Sequence, residues 1–170
     1  MKYCIDFIAL ALLYILIFFK KWKAKGTNVL LVNTSFYLYL SFVLYFTLMP
    51  IIVSIPFIFN HPYVPMNLVP FIDVLERRGD FIRQVILNVM MTVPFGFLFP
   101  LTQNQTTKFS RTVLFCFLMS FSIEILQPLI NSSRSSDITD LITNVVGGMI
   151  GYGFYHILRP VSNKIINHLK

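Results

Sequence analysis

Five apolar stretches, separated by short polar segments, follow one another along this chain of 170 residues. They are Tyr3–Phe19, Val29–Met49, Val85–Leu101, Thr112–Ile130 and Ile138–Leu158. Each is close to the roughly 17–25 residues that a helix needs to cross a bilayer. A further apolar segment, Pro50–Phe59, is broken by Pro50 and Pro56, which favours a kinked extension or an interfacial segment over a sixth span. The pattern predicts an all-α polytopic membrane bundle of about five transmembrane helices, forming a single integral membrane domain over residues 1–170.

The composition agrees with this pattern. Hydrophobic residues make up 56% of the chain, charged residues make up 12%, and the mean hydropathy is +0.71. A soluble globular domain is nearer a quarter charged, so we expect an integral membrane protein whose first partner is the lipid bilayer. The net charge of +7 suits an anionic inner leaflet. Because the lysines have this topological explanation, no nucleic-acid partner is expected.

The charges also predict an orientation. Clusters of basic residues without acids follow the first span, flank the loop after the third span and end the chain: Lys20, Lys21, Lys23, Lys25, Lys108, Arg111, Arg159, Lys164 and Lys170. Every acidic residue except Glu124 is predicted at the other ends of the spans. By the positive-inside rule the N-terminus is outside and the C-terminus is cytoplasmic. We therefore expect a multi-pass protein of the cell membrane, with the polar loops His61–Gln84 and Asn131–Asp137 on the extracytoplasmic side.

Several polar side chains interrupt the apolar runs near these predicted outer ends. An ionisable group at membrane depth costs roughly 2–3 kcal/mol or more on insertion scales, which makes it a candidate for function. Four polar residues fall within roughly 10 Å of the outer surface at 1.5 Å per residue: Asn88, Glu124, Gln127 and Asn144. Glu124 and Gln127 are three residues apart and share a helix face.

The last span carries a stripe along one helix face: Asp137, Asp140, Asn144, Gly147 and Gly151. The outer half of the stripe is polar, and the inner half is a Gly-x-x-x-Gly pattern that lets helices approach closely. The stripe predicts a bundle that is tight on its cytoplasmic side and opens outward into a polar pocket. Arg83 and Arg134 are expected at the mouth of this pocket, and the extended loop Pro62–Pro70 is a possible lid.

Several short motifs in series resemble those of the VanZ-like family. They are NLVPF at Asn67–Phe71, NVMMTVPFGFLFPL at Asn88–Leu101, IEILQ at Ile123–Gln127, and Arg134 followed by DITDLITNVVGGMIGY at Asp137–Tyr152. Their order and spacing hold over about residues 29–158, and Thr92 is a minor departure from the apolar run usual at that point. The resemblance implies a small multi-pass membrane protein associated with lower susceptibility to the glycopeptide antibiotic teicoplanin. It implies no particular reaction.

The candidate substrate-binding residues are Asn67, Asn88, Glu124, Gln127, Arg134, Asp137, Asp140 and Asn144. Three of them, Glu124, Asp137 and Asp140, are also candidates for catalysis, with Glu124 as a possible general acid/base. A divalent cation held by these three carboxylates and Asn144 is a further hypothesis. Structural roles compete with each assignment, because a buried Glu124 can fix helix packing and Asp137 can cap a helix.

Three classes of function remain open for the predicted pocket. The pocket could bind an envelope component, such as a lipid or cell-wall precursor head group. The protein could be a membrane enzyme acting on a lipid-linked or cell-wall substrate, although the sequence offers no obvious nucleophile. It could be a small transporter or a partner subunit, although a transporter would carry polar groups along the whole pathway. We favour an outward-facing site that binds or modifies an envelope component.

Overall fold

The computed structural model describes residues 2–58, 60, 62–103, 107–131 and 134–168, with the backbone alone for 161–168. Over these residues the fold is helical and contains no strand. The helices are α1 (Lys2–Leu13), α2 (Lys20–Lys23), α3 (Thr27–Thr47), α4 (Ile72–Leu75), α5 (Phe81–Thr102), α6 (Phe109–Ile130) and α7 (Ile138–His168). A π-helical segment, Tyr14–Phe19, joins α1 to α2 without a break. Phe59, His61 and Lys170, which the sequence predictions include, lie outside the described residues.

Five of these helical stretches are long and apolar enough to cross a membrane. They are Lys2–Lys23, Thr27–Thr47, Phe81–Thr102, Phe109–Ile130 and Ile138–Pro160. The prediction of an all-α fold with about five helices long and apolar enough to span a membrane is therefore confirmed. The third span begins at Phe81 and not at Val85, because Arg83 and Gln84 are polar residues inside the first turns of α5.

The segment after α3 is not a sixth span in the described part of the chain. It forms turns and a 3-10 helix, Ile55–Phe57. The carboxylate of Asp6, a residue that is only 3% exposed, accepts the N–H groups of Ile51 and Ile52 at 3.0 and 2.9 Å. The buried carboxylate of Asp6 thus holds the first span to this segment. The charge pattern had predicted only that Asp6 lies at the outer end of its span.

The charged stretch between this segment and α5 is less helical than expected. The amphipathic pattern predicts a short interfacial helix over Asp73–Arg83, and the structure has only the four-residue α4 there. Arg77 and Gly79 follow with positive φ angles of 53° and 57°, a backbone conformation that ends a right-handed helix. Asp80 then precedes the first residue of α5.

Helices α5 and α7 pack with their backbones in contact. A Cβ built on Gly151 would overlap the carbonyl oxygen of Val93, and one built on Gly96 would overlap that of Gly148. On the other face of α7, a Cβ on Gly148 would lie 2.5 Å from the Cys116 sulfur of α6. Small residues at these positions therefore permit an approach that any side chain would prevent.

Helix α3 packs against α5 through aromatic side chains. The ring of Phe36 lies 5.6 Å from that of Phe95 and 6.2 Å from that of Phe99. The hydroxyl of Tyr39 donates to the carbonyl of Met91 at 2.9 Å. Toward the C-terminal end of α3, beyond Tyr39, the two helices are separated by a cavity.

Candidate functional site

A cavity of about 850 Å³ lies between α3, α5, α6 and α7. It is lined by six of the eight residues that the sequence predicts for ligand binding: Asn88, Glu124, Gln127, Arg134, Asp140 and Asn144. They come from three helices and one loop that are distant along the chain. The other two predicted residues, Asn67 and Asp137, do not line it.

Three acidic side chains line this cavity, and two of them, Glu124 and Asp140, accept hydrogen bonds from uncharged groups. Glu124 is 2% exposed, and its Oε2 accepts the backbone N–H of Asp137 at 3.0 Å. The Oδ1 of Asp140 accepts the side-chain amide of Asn88 at 2.6 Å, and Gln84 donates to both Asp140 oxygens at 3.2–3.3 Å. Within the described ranges, the ion pairs include neither acid. Among the described residues, Glu124 and Asp140 thus lie at one cavity with no basic side chain within salt-bridge distance of either.

Asn144 adds a third acceptor. Its side chain is buried, with 2% exposed, and its Nδ2 donates to the Ser120 hydroxyl at 2.8 Å. Its backbone carbonyl accepts the hydroxyl of Thr92 at 2.6 Å, which joins α5 to α7. The Oδ1 of Asn144 has no hydrogen-bond partner in the described part of the chain. A buried polar atom that lacks a partner is costly, so this oxygen favours a donor supplied from elsewhere.

Asn67 and Asp137 instead fasten the loop before α4 to the start of α7. Backbone N–H groups donate from Asn67 to Ser136 at 2.9 Å and from Ile138 to Asn67 at 3.0 Å. The two side chains also meet, with Asn67 Nδ2 donating to Asp137 Oδ2 at 3.0 Å. The other oxygen of Asp137 accepts the Thr139 N–H at 2.6 Å, which is the geometry of a helix N-cap. The helix-capping alternative therefore describes what Asp137 does in this structure.

The proposed lid does not cover the cavity. The loop Pro62–Pro70 is held at Asn67, and none of its described residues lines the cavity. Beyond the loop, the N–H of Phe71 donates to the Thr139 hydroxyl at 2.9 Å. These bonds fasten the segment before α4 to the start of α7.

The two arginines expected at the mouth of the pocket both belong to the lining of this cavity. Arg83 and Arg134 are both exposed. The Nη2 of Arg134 donates to the Phe46 carbonyl at 3.4 Å, and the Nη1 of Arg83 lies 4.0 Å from an oxygen of Asp80. Neither contact is a close charge-assisted pair, so both guanidinium groups retain donors for a ligand.

Three polar neighbours of this cluster were not predicted from the sequence. Gln84 was assigned to a loop, although it lies four residues before Asn88 and therefore on the same face of α5. Ser120 and Thr92 were overlooked because single hydroxyls are common in apolar helices, where they bond to their own backbone. No local spacing would have paired Ser120 with Asn144.

The hypothetical cation-binding set is divided in the structure. Glu124, Asp140 and Asn144 line the cavity, whereas Asp137 bonds to Asn67 and to the start of α7. Among the residues described, no three His, Cys, Asp or Glu side chains are grouped closely enough to hold a metal ion. The geometry thus offers two carboxylates and amides, a set better suited to hydrogen-bond donors.

Comparison with known proteins identifies the family. The VanZ/LLP1 family model matches residues 36–159, a range that contains every residue lining the cavity. Protein VanZ of Enterococcus faecium is 35% identical over 113 residues, which are 66% of this chain and 63% of that protein. The alignment thus spans somewhat less than two thirds of the relative's length. No solved structure matches. The family resemblance seen in the motifs is confirmed, and the chain belongs to the VanZ/LLP1 family.

Proposed function

We propose that this protein lowers susceptibility to teicoplanin, and that it does so through the polar cavity, which binds or modifies a component of the cell envelope. The role is carried over from the VanZ family, to which the chain belongs. Assigning it to the cavity rests on one observation. Glu124, Asp140 and Asn144 present three hydrogen-bond acceptors at one cavity within helices that are apolar enough to span a membrane.

The cost of these groups supports a role beyond packing. Acids within membrane-spanning segments are expensive, and a structural acid is commonly offset by a basic partner. In the described part of the chain, the hydrogen bonds to Glu124 and Asp140 come from neutral donors, namely one backbone N–H and two side-chain amides. Such a site is suited to a ligand that carries hydroxyl or amine donors.

The distribution of charge supports an outward opening. The lysines of α2 and Lys108 lie at the ends of their helices remote from the cavity, and Lys25 follows in the connection to α3. Basic residues at that end are typical of the cytoplasmic side. On this proposal the cavity is reached from the extracytoplasmic side, where a glycopeptide antibiotic acts on the envelope.

One alternative function is supported by a specific observation. Glu124 and Asp140 place two carboxyl groups at the same cavity, an arrangement that suits general acid/base catalysis. The second candidate is therefore a membrane enzyme acting on a lipid-linked or cell-wall substrate. A partner subunit docking on the glycine face is less well supported. Gly147 and Gly151 face α5 of this same chain, so that surface is already occupied.

The test is teicoplanin susceptibility in a host strain that expresses the wild type, Glu124→Gln or Asp140→Asn, with membrane levels quantified for each. Glu76→Gln is the matched control, because it makes the same chemical change at an exposed acid of the connection before α5 that does not line the cavity. We expect the wild type and the control to protect, and the two cavity variants to protect much less.

Either of two results would overturn the proposal. Equal protection by well-expressed Glu124→Gln and Asp140→Asn would mean that both acids serve only helix packing. No protection by the wild type itself would mean that the family role does not extend to this chain.

A further inference from the structure

The cavity continues from its polar end into an apolar slot between α3 and α5. The walls of the slot are Phe42 and Val43 on one side and Leu87 and Met90 on the other. Along α5 the lining runs from Arg83 to Pro94, which is roughly 16 Å at 1.5 Å per residue. One leaflet of the hydrocarbon core is about 15 Å thick, since the whole core is about 30 Å. The cavity, with its polar end included, therefore has about the depth of a single leaflet.

The slot is open on the side that faces the bilayer. Three side chains that line it are also largely exposed on the surface of the bundle: Phe42 is 60%, Phe46 is 61% and Met90 is 64% exposed. Its inner end is closed where the Tyr39 hydroxyl bonds to the Met91 carbonyl. An acyl chain of the surrounding leaflet can thus enter sideways without crossing the polar mouth.

The polar end has the chemistry of a particular kind of head group. Arg83 and Arg134 offer planar guanidinium donors, which suit a phosphate. Behind them, Glu124 and Asp140 accept hydrogen bonds, so they require a ligand that also carries donors. Asp80 at the rim adds a third acidic side chain, which disfavours a head group that is anionic throughout.

We infer that the slot binds a glycerophospholipid of the surrounding leaflet. Its acyl chain lies between α3 and α5, its phosphate lies between Arg83 and Arg134, and its hydroxyl donors face Glu124 and Asp140. Phosphatidylglycerol combines one phosphate with two neutral hydroxyls and has this chemistry. The inference rests on the proposed function in that it names the envelope component bound by the same cavity.

The test is native mass spectrometry of the purified full chain in detergent with three lipids of identical acyl chains. Phosphatidylglycerol carries both recognition elements, phosphatidylmethanol carries the phosphate without hydroxyls, and monoglucosyldiacylglycerol carries hydroxyls without phosphate. We expect phosphatidylglycerol to bind at least about tenfold more tightly than either, since each of the two elements contributes hydrogen bonds to charged groups.

Two variants test separately how the lipid head group and the acyl chain are bound. Arg83→Gln combined with Arg134→Gln should reduce phosphatidylglycerol affinity by about tenfold or more, because both charge-assisted contacts to the phosphate are lost. Met90→Trp should reduce it by narrowing the slot. The matched control is Met149→Trp on α7, where the methionine is 42% exposed and does not line the cavity. That variant should bind phosphatidylglycerol as the wild type does.

The outcomes that would overturn the inference are separable from failure of the proposed function. Equal binding of the three lipids by all variants would indicate only the annular lipid that surrounds any membrane protein. Loss of phosphatidylglycerol binding in the double arginine variant without loss in Met90→Trp would mean that the acyl chain does not lie in the slot. If phosphatidylglycerol binding behaves as expected and teicoplanin susceptibility does not follow it, the lipid site stands and the proposed function fails. If the cavity acids prove essential for protection and no lipid preference is found, the proposed function stands and the lipid inference fails.

Discussion

Replacing Gly151 by alanine tests one of the closest backbone contacts in the bundle. The added Cβ would overlap the Val93 carbonyl oxygen and would lie 2.9 Å from its carbon and 3.0 Å from the Cα of Gly96. All three atoms belong to the α5 backbone, so no side-chain rotation relieves the overlap. Helices α5 and α7 must therefore move apart locally.

The expected loss of stability follows from two opposing effects. Alanine is favoured over glycine in a helix by about 1 kcal/mol, which on its own would stabilise α7. A radial gap of 0.5–1 Å forfeits about a quarter to a half of each dispersion contact across an interface, and overpacked sites lose typically about 1–3 kcal/mol. Because the clash here is with backbone, we expect the steric effect to win and Gly151→Ala to destabilise the fold by about 2 kcal/mol.

Gly153→Ala is the matched control for this experiment. Gly153 lies two residues further along α7, and nothing stands within 4 Å of a Cβ built there. Both variants would be purified in detergent and unfolded by titration with sodium dodecyl sulfate, with helicity followed by circular dichroism. We expect Gly153→Ala to unfold like the wild type or at slightly higher denaturant, and Gly151→Ala to unfold earlier. Superimposable curves for the two variants would refute the close backbone contact.

Three further predictions address polar contacts between distant parts of the chain. Thr92→Val removes the 2.6 Å bond to the Asn144 carbonyl and should cost about 0.6–1.7 kcal/mol in the same unfolding assay; an unchanged midpoint would contradict it. Asp6→Ala removes the acceptor of two backbone N–H groups and should speed hydrogen exchange at those amides, whereas protection there equal to that of the wild type would show that the carboxylate is dispensable. Asn67→Ala should speed exchange at the Ile138 amide, since the loop that accepts this N–H loses its side-chain attachment to Asp137, and unchanged exchange would show that the backbone bonds suffice.

The spans were predictable because apolar length alone identifies them, and all five are present. The ends of the spans were not predictable, because the apolar pattern ends at the first polar residue whereas the helix continues beyond it. Arg83 and Gln84 illustrate this, because both belong to α5 and both reach the cavity. The buried role of Asp6 was also hidden, because its partners are backbone N–H groups of a segment more than forty residues away.

The cavity residues could be predicted as far as depth and helical periodicity determine position. Asn88, Glu124 and Asn144 lie at similar depth on neighbouring helices, and the structure brings them to one cavity. Asp137 shares the helix face of Asn144 but is used as a helix cap. Periodicity cannot separate these two uses, because it gives the face of a residue and not the partner that its side chain meets.

The two halves of α7 explain how a stable bundle can contain such a cavity. Along the glycine half the backbones of α5 and α7 touch, and dispersion contacts are dense. Along the other half Asp140 and Asn144 carry side chains too large for that approach, so the space beside them stays open toward α3 and α6. Thr92 stands at the junction, where its hydroxyl bonds to the Asn144 carbonyl. The close packing thus offsets the cost of the buried polar groups, and a loss of glycine packing should disturb the cavity even where no cavity residue has changed.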